Sequence, residues 1–306
     1  LRWVCASGLF IGRAPTVDAA FIGMGRTGAM LWLQLIANAI NVVLNPLFIY
    51  ELGWGVGGTA AATGASRALS VLVGIMLLRR FTGLGWQHLR PSGQWRRIAW
   101  VGAPSSFGAL LACLVYLALM RYAISPLGPA VNAGLGIGQS GFEILVLSAS
   151  WGVAVAASCL VGQSLGAGRP DLALQAIRLS LPLATVVGIA ATLVFWFGAE
   201  SLCALFSSDP AVVAEAVRYV RVLAFSQLAC GWEGLADAIL EGAGDTRAVM
   251  LRSVPLNLLR VPLGWVLALP LGYGAEGIWW AINFTTYAKA LLLWLAVARG
   301  RWKTVQ

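Results

Sequence analysis

Three carboxylates of this chain fall where water is scarce. Glu233 and Asp237 stand four residues apart in one apolar stretch, and Glu143 interrupts another. A four-residue spacing puts both side chains on one face of a helix. A charged group at the centre of a bilayer costs at least ~2.5–3.5 kcal/mol, so each acid requires a reason. One reason is chemistry: adjacent acids in a low-dielectric site form a group suited to taking up and releasing a proton. The other is structural, because Arg260 and Lys289 stand mid-span in the next two apolar stretches and offer ion pairs. The two readings merge if a cation pairs with the carboxylate whenever substrate is absent. Glu143, Glu233 and Asp237 are therefore the candidate ion-coupling cluster, with Arg260 and Lys289 as its charge partners. Asp18 is a further candidate, with a salt bridge to Arg13 or Arg67 as its structural alternative. Asn38, Asn41 and Asn45 recur at three- and four-residue spacing, which suits either a substrate path or interhelical hydrogen bonds.

The elements that position these residues follow from composition. The chain has 306 residues, 59% of them hydrophobic and 11% charged, against about 25% charged in a soluble domain. Mean hydropathy is +0.81. The sequence breaks into apolar runs of about 20 residues or more, the length that crosses ~30 Å of hydrocarbon as helix. The runs fall at 3–22, 30–50, 57–78, 98–122, 132–162, 172–197, 213–240, 248–270 and 276–298. They are continuously apolar, without the alternation of a barrel strand. An all-α polytopic membrane protein is expected.

Other chemistries find little support. Cys5, Cys113, Cys159, Cys203 and Cys230 are scattered without a CxxC pair and read as small apolar fillers, not a metal or disulfide set. The single His88 lies in a polar loop. Gly136, Gly138 and Gly141 spell GxGxxG inside an apolar run with no strand before them, so close helix packing is expected, not dinucleotide binding. The net charge of +9 is concentrated at span ends, which favours topology over nucleic acid. Arg26, the Arg79–Arg97 cluster (with Arg90), Arg169, Arg247 and the Arg299–Lys303 tail alternate with connections bearing Glu51, Glu200, Asp209, Glu215 and Glu276. The positive-inside rule makes the first set cytoplasmic. Trp54, Trp86, Trp100 and Trp302 suit an interfacial belt.

Residues 1–80 align without gaps on 220–299, and a quarter of the pairs are identical. Asp18 meets Asp237, Gly23 meets Gly242, Gly25 meets Gly244, Thr27 meets Thr246 and Asn38 meets Asn257. Gly53, Gly55, Gly58 and Ala62 meet Gly272, Gly274, Gly277 and Ala281. Both GxG turns lie on the arginine-rich side, so a parallel duplication is expected. Residues 97–219 have no upstream partner, which suggests that about 120 residues precede Leu1 in the intact protein. The domain plan is then 1–80 as half of a first lobe, 81–97 as a cytoplasmic inter-lobe loop, 98–299 as a second lobe and 300–306 as a cytoplasmic tail.

These motifs resemble a known family. GVAVAASCLVGQSLGAG at 152–168, GAGDT at 242–246, GMGRT at 23–27 and NAINVVLNPLFIYELGWGVGGTAAAT at 38–63 look like the multidrug and toxic compound extrusion (MATE) transporters. The resemblance implies two six-helix lobes, with this chain running from the fourth helix to the twelfth. It implies an antiporter in the cell (inner or plasma) membrane that exports cationic or amphipathic compounds by alternating access. The driving ion would be H+ or, less favoured, Na+, with no other cofactor and no metal, acting as a monomer. Glu143 and Asp237 match acidic positions of relatives. The stretch around Ala112 is wholly apolar where some members carry a coupling glutamate, and Glu241 replaces an arginine frequent before the GAGDT turn. The competing function is a flippase for lipid-linked oligosaccharides; an enzyme finds no Ser/His/Asp set or phosphate loop to support it.

Overall fold

The computed structural model describes residues 2–83, 85 and 94–304, with the backbone alone for residues 2–7 and 9–11. Trp86, His88, Arg90 and the Cys5 side chain lie outside the described residues, as does most of the 81–97 loop. The chain divides into two compact units, Leu1–Ser92 and Gly93–Gln306. Among the described residues every regular element is a helix. The first unit holds α1 (Arg2–Gly23), α2 (Thr27–Pro46) and α3 (Gly55–Thr82). The second holds α4 (Gln94–Leu119), α5 (Pro129–Ile137), α6 (Ile144–Gly166), α7 (Pro170–Cys203), α8 (Pro210–Ala224), α9 (Gln227–Gly242), α10 (Thr246–Ala268) and α11 (Gly274–Arg299).

Each of the nine apolar runs falls on helix. Six helical stretches among the described residues are long and apolar enough to cross a membrane: Thr27–Glu51, Gly55–Thr82, Gln94–Leu127, Pro129–Gly166, Pro170–Cys203 and Gly274–Arg299. The other three runs map to α1, to α8 with α9, and to α10. α8 and α9 are each shorter than a full span, and the candidate site residues Asp18, Glu233, Asp237 and Arg260 lie on α1, α9 and α10. The run 213–240 is not one helix but two, parted at Phe225–Ser226. The run 132–162 contains a π-helical turn over Gly138–Glu143, and others cover Leu47–Glu51 and Met120–Ile124. Such bulges frequently mark functional positions.

The repeat extends to local geometry. Leu52 N–H bonds Leu47 O at 3.0 Å and Leu271 N–H bonds Val266 O at 3.1 Å; Trp54 N–H bonds Phe48 O and Tyr273 N–H bonds Leu267 O, both at 3.1 Å. At the GxG turns, Arg26 N–H reaches Phe21 O and Asp245 N–H reaches Leu240 O. Gly25 and Gly244 take φ of 71° and 83°, values that favour glycine. A Cβ on Gly58 would lie 2.8 Å from the Phe48 backbone, and one on Gly277 would lie 2.8 Å from that of Leu267. Every one of these pairs keeps the offset seen in the sequence.

In the second unit small residues let backbones approach, as membrane helices require. A Cβ on Gly242 would stand 2.4 Å from Ser158 O, fixing α9 against α6, and one on Gly188 would stand 2.8 Å from the Leu228 Cα, fixing α7 against α9. Close packing holds for two glycines of the 136–141 motif, with Gly138 against the Tyr219 ring and Gly141 against Phe206, whereas Gly136 faces open space. Trp302 departs from the interfacial belt. It is 1% exposed, because the turn Arg301–Thr304 folds it back and its Nε1 donates to Val297 O at 2.8 Å. Trp100 stays exposed, with the Arg247 guanidinium 3.9 Å from its ring centroid. Of the four described cysteines only Cys203 is fully buried; Cys113 is exposed and Cys230 faces a cavity.

Candidate functional site

A cavity of about 540 Å³ lies within the second unit, and it gathers the predicted site residues of that unit. Glu143, Glu233, Asp237, Arg260 and Lys289 all line it, together with Glu241 and Asn257. Each element delivers its side chain for a local reason. The π-helical turn between α5 and α6 ends on Glu143, and Gln139, four residues earlier in the same turn, lines the same cavity. The four-residue spacing on α9 brings Glu233 and Asp237 to the same wall. Asp209 caps α8 by accepting from Ala211 N–H at 2.9 Å, with Pro210 at the first helical position, where its missing N–H costs nothing. Asp245 caps α10 in the same way through Ala248 N–H at 3.2 Å.

The charges are unevenly matched. Lys289 Nζ donates to Glu233 Oε1, with side chains 9% and 15% exposed, so the ion-pair reading holds for that acid. Arg260 donates to Thr285 Oγ1 at 2.9 Å and to Thr286 Oγ1 at 3.3 Å. It acts through space on Glu233 and Glu143 without touching either. Glu143 accepts from the Tyr219 hydroxyl at 2.8 Å. Asp237 Oδ1 is buried with no hydrogen-bond partner. Glu241 accepts from Ser105 at 2.9 Å. Four carboxylates thus face two cations, and one carboxylate oxygen stands unsatisfied.

Sequence reasoning missed Tyr219, Trp279 and Gln139. Tyr219 is 2% exposed and its ring meets Trp279 edge-on, with centroids 4.7 Å apart. Gln139 accepts from the Tyr116 hydroxyl at 2.9 Å. No single helical wheel links Tyr219 to Glu233, because the break at Phe225–Ser226 puts them on different helices.

The first-unit candidates belong to a separate network. Asp18 makes no direct pair with Arg67. Gln34 stands between them, donating to Asp18 Oδ2 at 2.6 Å while its own oxygen accepts from Arg67 at 2.5 Å. Arg13 is exposed. Asn41 donates toward Thr63 and Ser66, each at 3.4 Å, and Asn45 donates to Asn41 at 3.0 Å. Asn41 therefore bonds between α2 and α3, whereas the bond of Asn45 stays within α2. Asn38 is exposed and stands apart from that chain. The α2–α3 link has a second-unit counterpart, since Arg260 and Thr285 occupy the positions of Asn41 and Ser66 in the repeat.

A family model described as MatE matches residues 104–266, more than half of the chain and most of the cavity wall. The chain belongs to the MatE family. Among its relatives, multidrug and toxin extrusion protein 1 of Mus musculus is 26% identical over 94% of this chain and 53% of its own length. A probable multidrug resistance protein NorM of Idiomarina loihiensis is 24% identical over 90% of this chain and 63% of its own. The chain spans about half the length of curated relatives that it matches. The fold is that of solved MATE structures. One in complex with MaL6 superposes with a TM-score of 0.90 at 21% identity, covering 99% of this chain and 69% of the other. The Vibrio cholerae transporter VcmN in its bent form gives 0.84 at 21%, covering 97% and 68%. Membership in the MatE family makes the chain part of a multi-pass membrane protein, and of a family of transporters rather than enzymes.

Proposed function

We propose that the intact protein is a secondary antiporter that exports cationic or amphipathic compounds by alternating access between two lobes. A proton gradient drives it in this reading, with sodium the less favoured ion. The observation that carries the reading is the unpartnered Asp237 oxygen in a cavity where carboxylates outnumber cations by four to two. An unpaired buried acceptor is costly, and a cation relieves that cost. Lys289 on Glu233 acts as the resident counter-ion, and Arg260 between Glu233 and Glu143 tunes both. A cationic compound entering the cavity competes for the same carboxylates as the driving ion, which is the requirement for exchange. The aromatic walls from Trp151, Tyr116 and Trp279 supply flat apolar contact for an amphipathic body. The acidic excess disfavours the lipid-linked oligosaccharide alternative, whose phosphates call for a basic cavity. The names of the curated relatives, multidrug extrusion proteins, agree with this reading.

The test is efflux of a fluorescent cationic dye from proteoliposomes holding the intact protein, under proton and sodium gradients applied separately. Glu143→Gln, Glu233→Gln and Asp237→Asn should each slow gradient-driven efflux by tenfold or more, about the value of one charge-assisted hydrogen bond. Full activity in all three variants would remove the acidic cluster from the coupling step.

A further inference from the structure

The break between α8 and α9 is held open by side chains from two other helices. Ser226, at φ −93° and ψ −5°, sends its N–H to Leu223 O at 3.0 Å, one residue short of the regular helical partner. Four consecutive carbonyls at the junction then take side-chain donors. Val222 O accepts from Asn283 Nδ2 at 2.7 Å. Leu223 O also accepts from Ser226 Oγ at 3.0 Å and Gln227 Nε2 at 3.1 Å. Ala224 O accepts from Thr192 Oγ1 at 3.0 Å, a hydroxyl whose proton is shared with Gly188 O at 2.9 Å. Phe225 O accepts from the Tyr287 hydroxyl. Backbone groups inside hydrocarbon must find partners within the protein. Scattered interhelical contacts would not fall on four successive carbonyls. The interruption is a built feature.

Its position relates it to the cavity. On the α8 side, Tyr219 bonds Glu143. On the α9 side, Glu233 and Asp237 follow the break within three turns. Two of the clamping residues, Asn283 and Tyr287, lie on α11, and Lys289, the partner of Glu233, stands two residues beyond Tyr287. The clamp therefore fixes the start of α9 against the helix that carries its counter-ion. It also fixes the angle between the two half-helices, and with it the separation of Glu143 from the Glu233–Asp237 pair.

We infer that Thr192, Asn283 and Tyr287 are positioning residues of the acidic cluster, keeping this helix in two pieces so that its acids hold their places on the cavity wall. The inference rests on the reading that the acids bind the driving cation. Two readouts test it in the intact protein in lipid nanodiscs and proteoliposomes. The first is amide exchange across residues 222–230 by mass spectrometry. The second is the concentration of the driving cation, proton or sodium, that gives half-maximal dye efflux. Thr192→Val and Tyr287→Phe remove a donor with little change of shape, and Asn283→Leu adds a third case. Each should raise exchange across the break and shift the half-maximal concentration by about fivefold, the equivalent of one net hydrogen bond. Thr192→Ser, which keeps the hydroxyl, should restore both. Unchanged exchange overturns the clamp. Raised exchange with an unmoved half-maximal concentration overturns the positioning role, as does Thr192→Ser behaving like Thr192→Val. If Glu233→Gln and Asp237→Asn leave the cation dependence untouched, the reading of the acids fails and the positioning role falls with it. The exchange readout, which needs no transport, tells that outcome from a failure of the clamp.

Discussion

At the scale of single residues the Lys289–Glu233 pair sets the energetics of the cavity. Lys289 is buried and Glu233 largely so, and removing one partner of a buried pair leaves an uncompensated charge, a loss of about 3–5 kcal/mol. Lys289→Gln is therefore expected to lower the stability of the purified protein by that order, read as the denaturation midpoint in detergent. The double variant Lys289→Gln/Glu233→Gln should recover most of the loss, because it leaves a neutral pair. An additive double variant would show that the two side chains do not depend on each other. Gly138 gives a second expectation. A Cβ there would come 2.1 Å from the buried Tyr219 ring, so Gly138→Ala should displace the hydroxyl from Glu143 and slow dye efflux at least as much as Tyr219→Phe. The sequence made Glu233, Lys289 and Arg260 visible because charge inside an apolar run is conspicuous. It did not disclose Gln34 between Asp18 and Arg67, since a glutamine is equally at home on a solvated face and no spacing rule links residues on three helices.

At the scale of elements the duplication governs which glycines are replaceable. Gly58 and Gly277 meet backbone atoms of the preceding helical element at the same distance, so alanine at either forces main chain apart, an overpacking cost of about 1–3 kcal/mol. Gly108, in the interior of α4, has nothing within 4 Å of its Cβ position. Gly108→Ala should stay within about 0.5 kcal/mol of the parent, while Gly58→Ala and Gly277→Ala lower the thermal midpoint in parallel. The aligned Asp, Gly, Thr and Asn residues foretold this kinship, because turn glycines answer to local geometry. The break at Phe225–Ser226 could not be foretold in the same way. No Gly or Pro marks it, and the donors that other helices supply stand about 60 residues downstream at Asn283 and Tyr287 or about 30 upstream at Thr192. The π-helical turn ending at Glu143 was equally hidden, because its residues keep a helical pattern while the register slips by one.

At the scale of the molecule, composition alone excluded a soluble body, and six apolar helical stretches carry the class of fold. The candidate charges divide between the two sets of helices: Glu143 and Lys289 stand within those six stretches, whereas Asp18, Glu233, Asp237 and Arg260 stand on the remaining helices. What hydropathy does not convey is which acids share a wall, since that follows from helix contacts. The central claim is that the second-unit acids give up a driving cation when a cationic compound enters. The most direct measurement adds a fluorescent cationic dye to the intact, detergent-purified protein in weakly buffered solution and records bound dye and released protons together. Dye binding with proton release, the release lost in Asp237→Asn, is the predicted result. Tight dye binding without proton release, or release unaltered in Asp237→Asn, would contradict it.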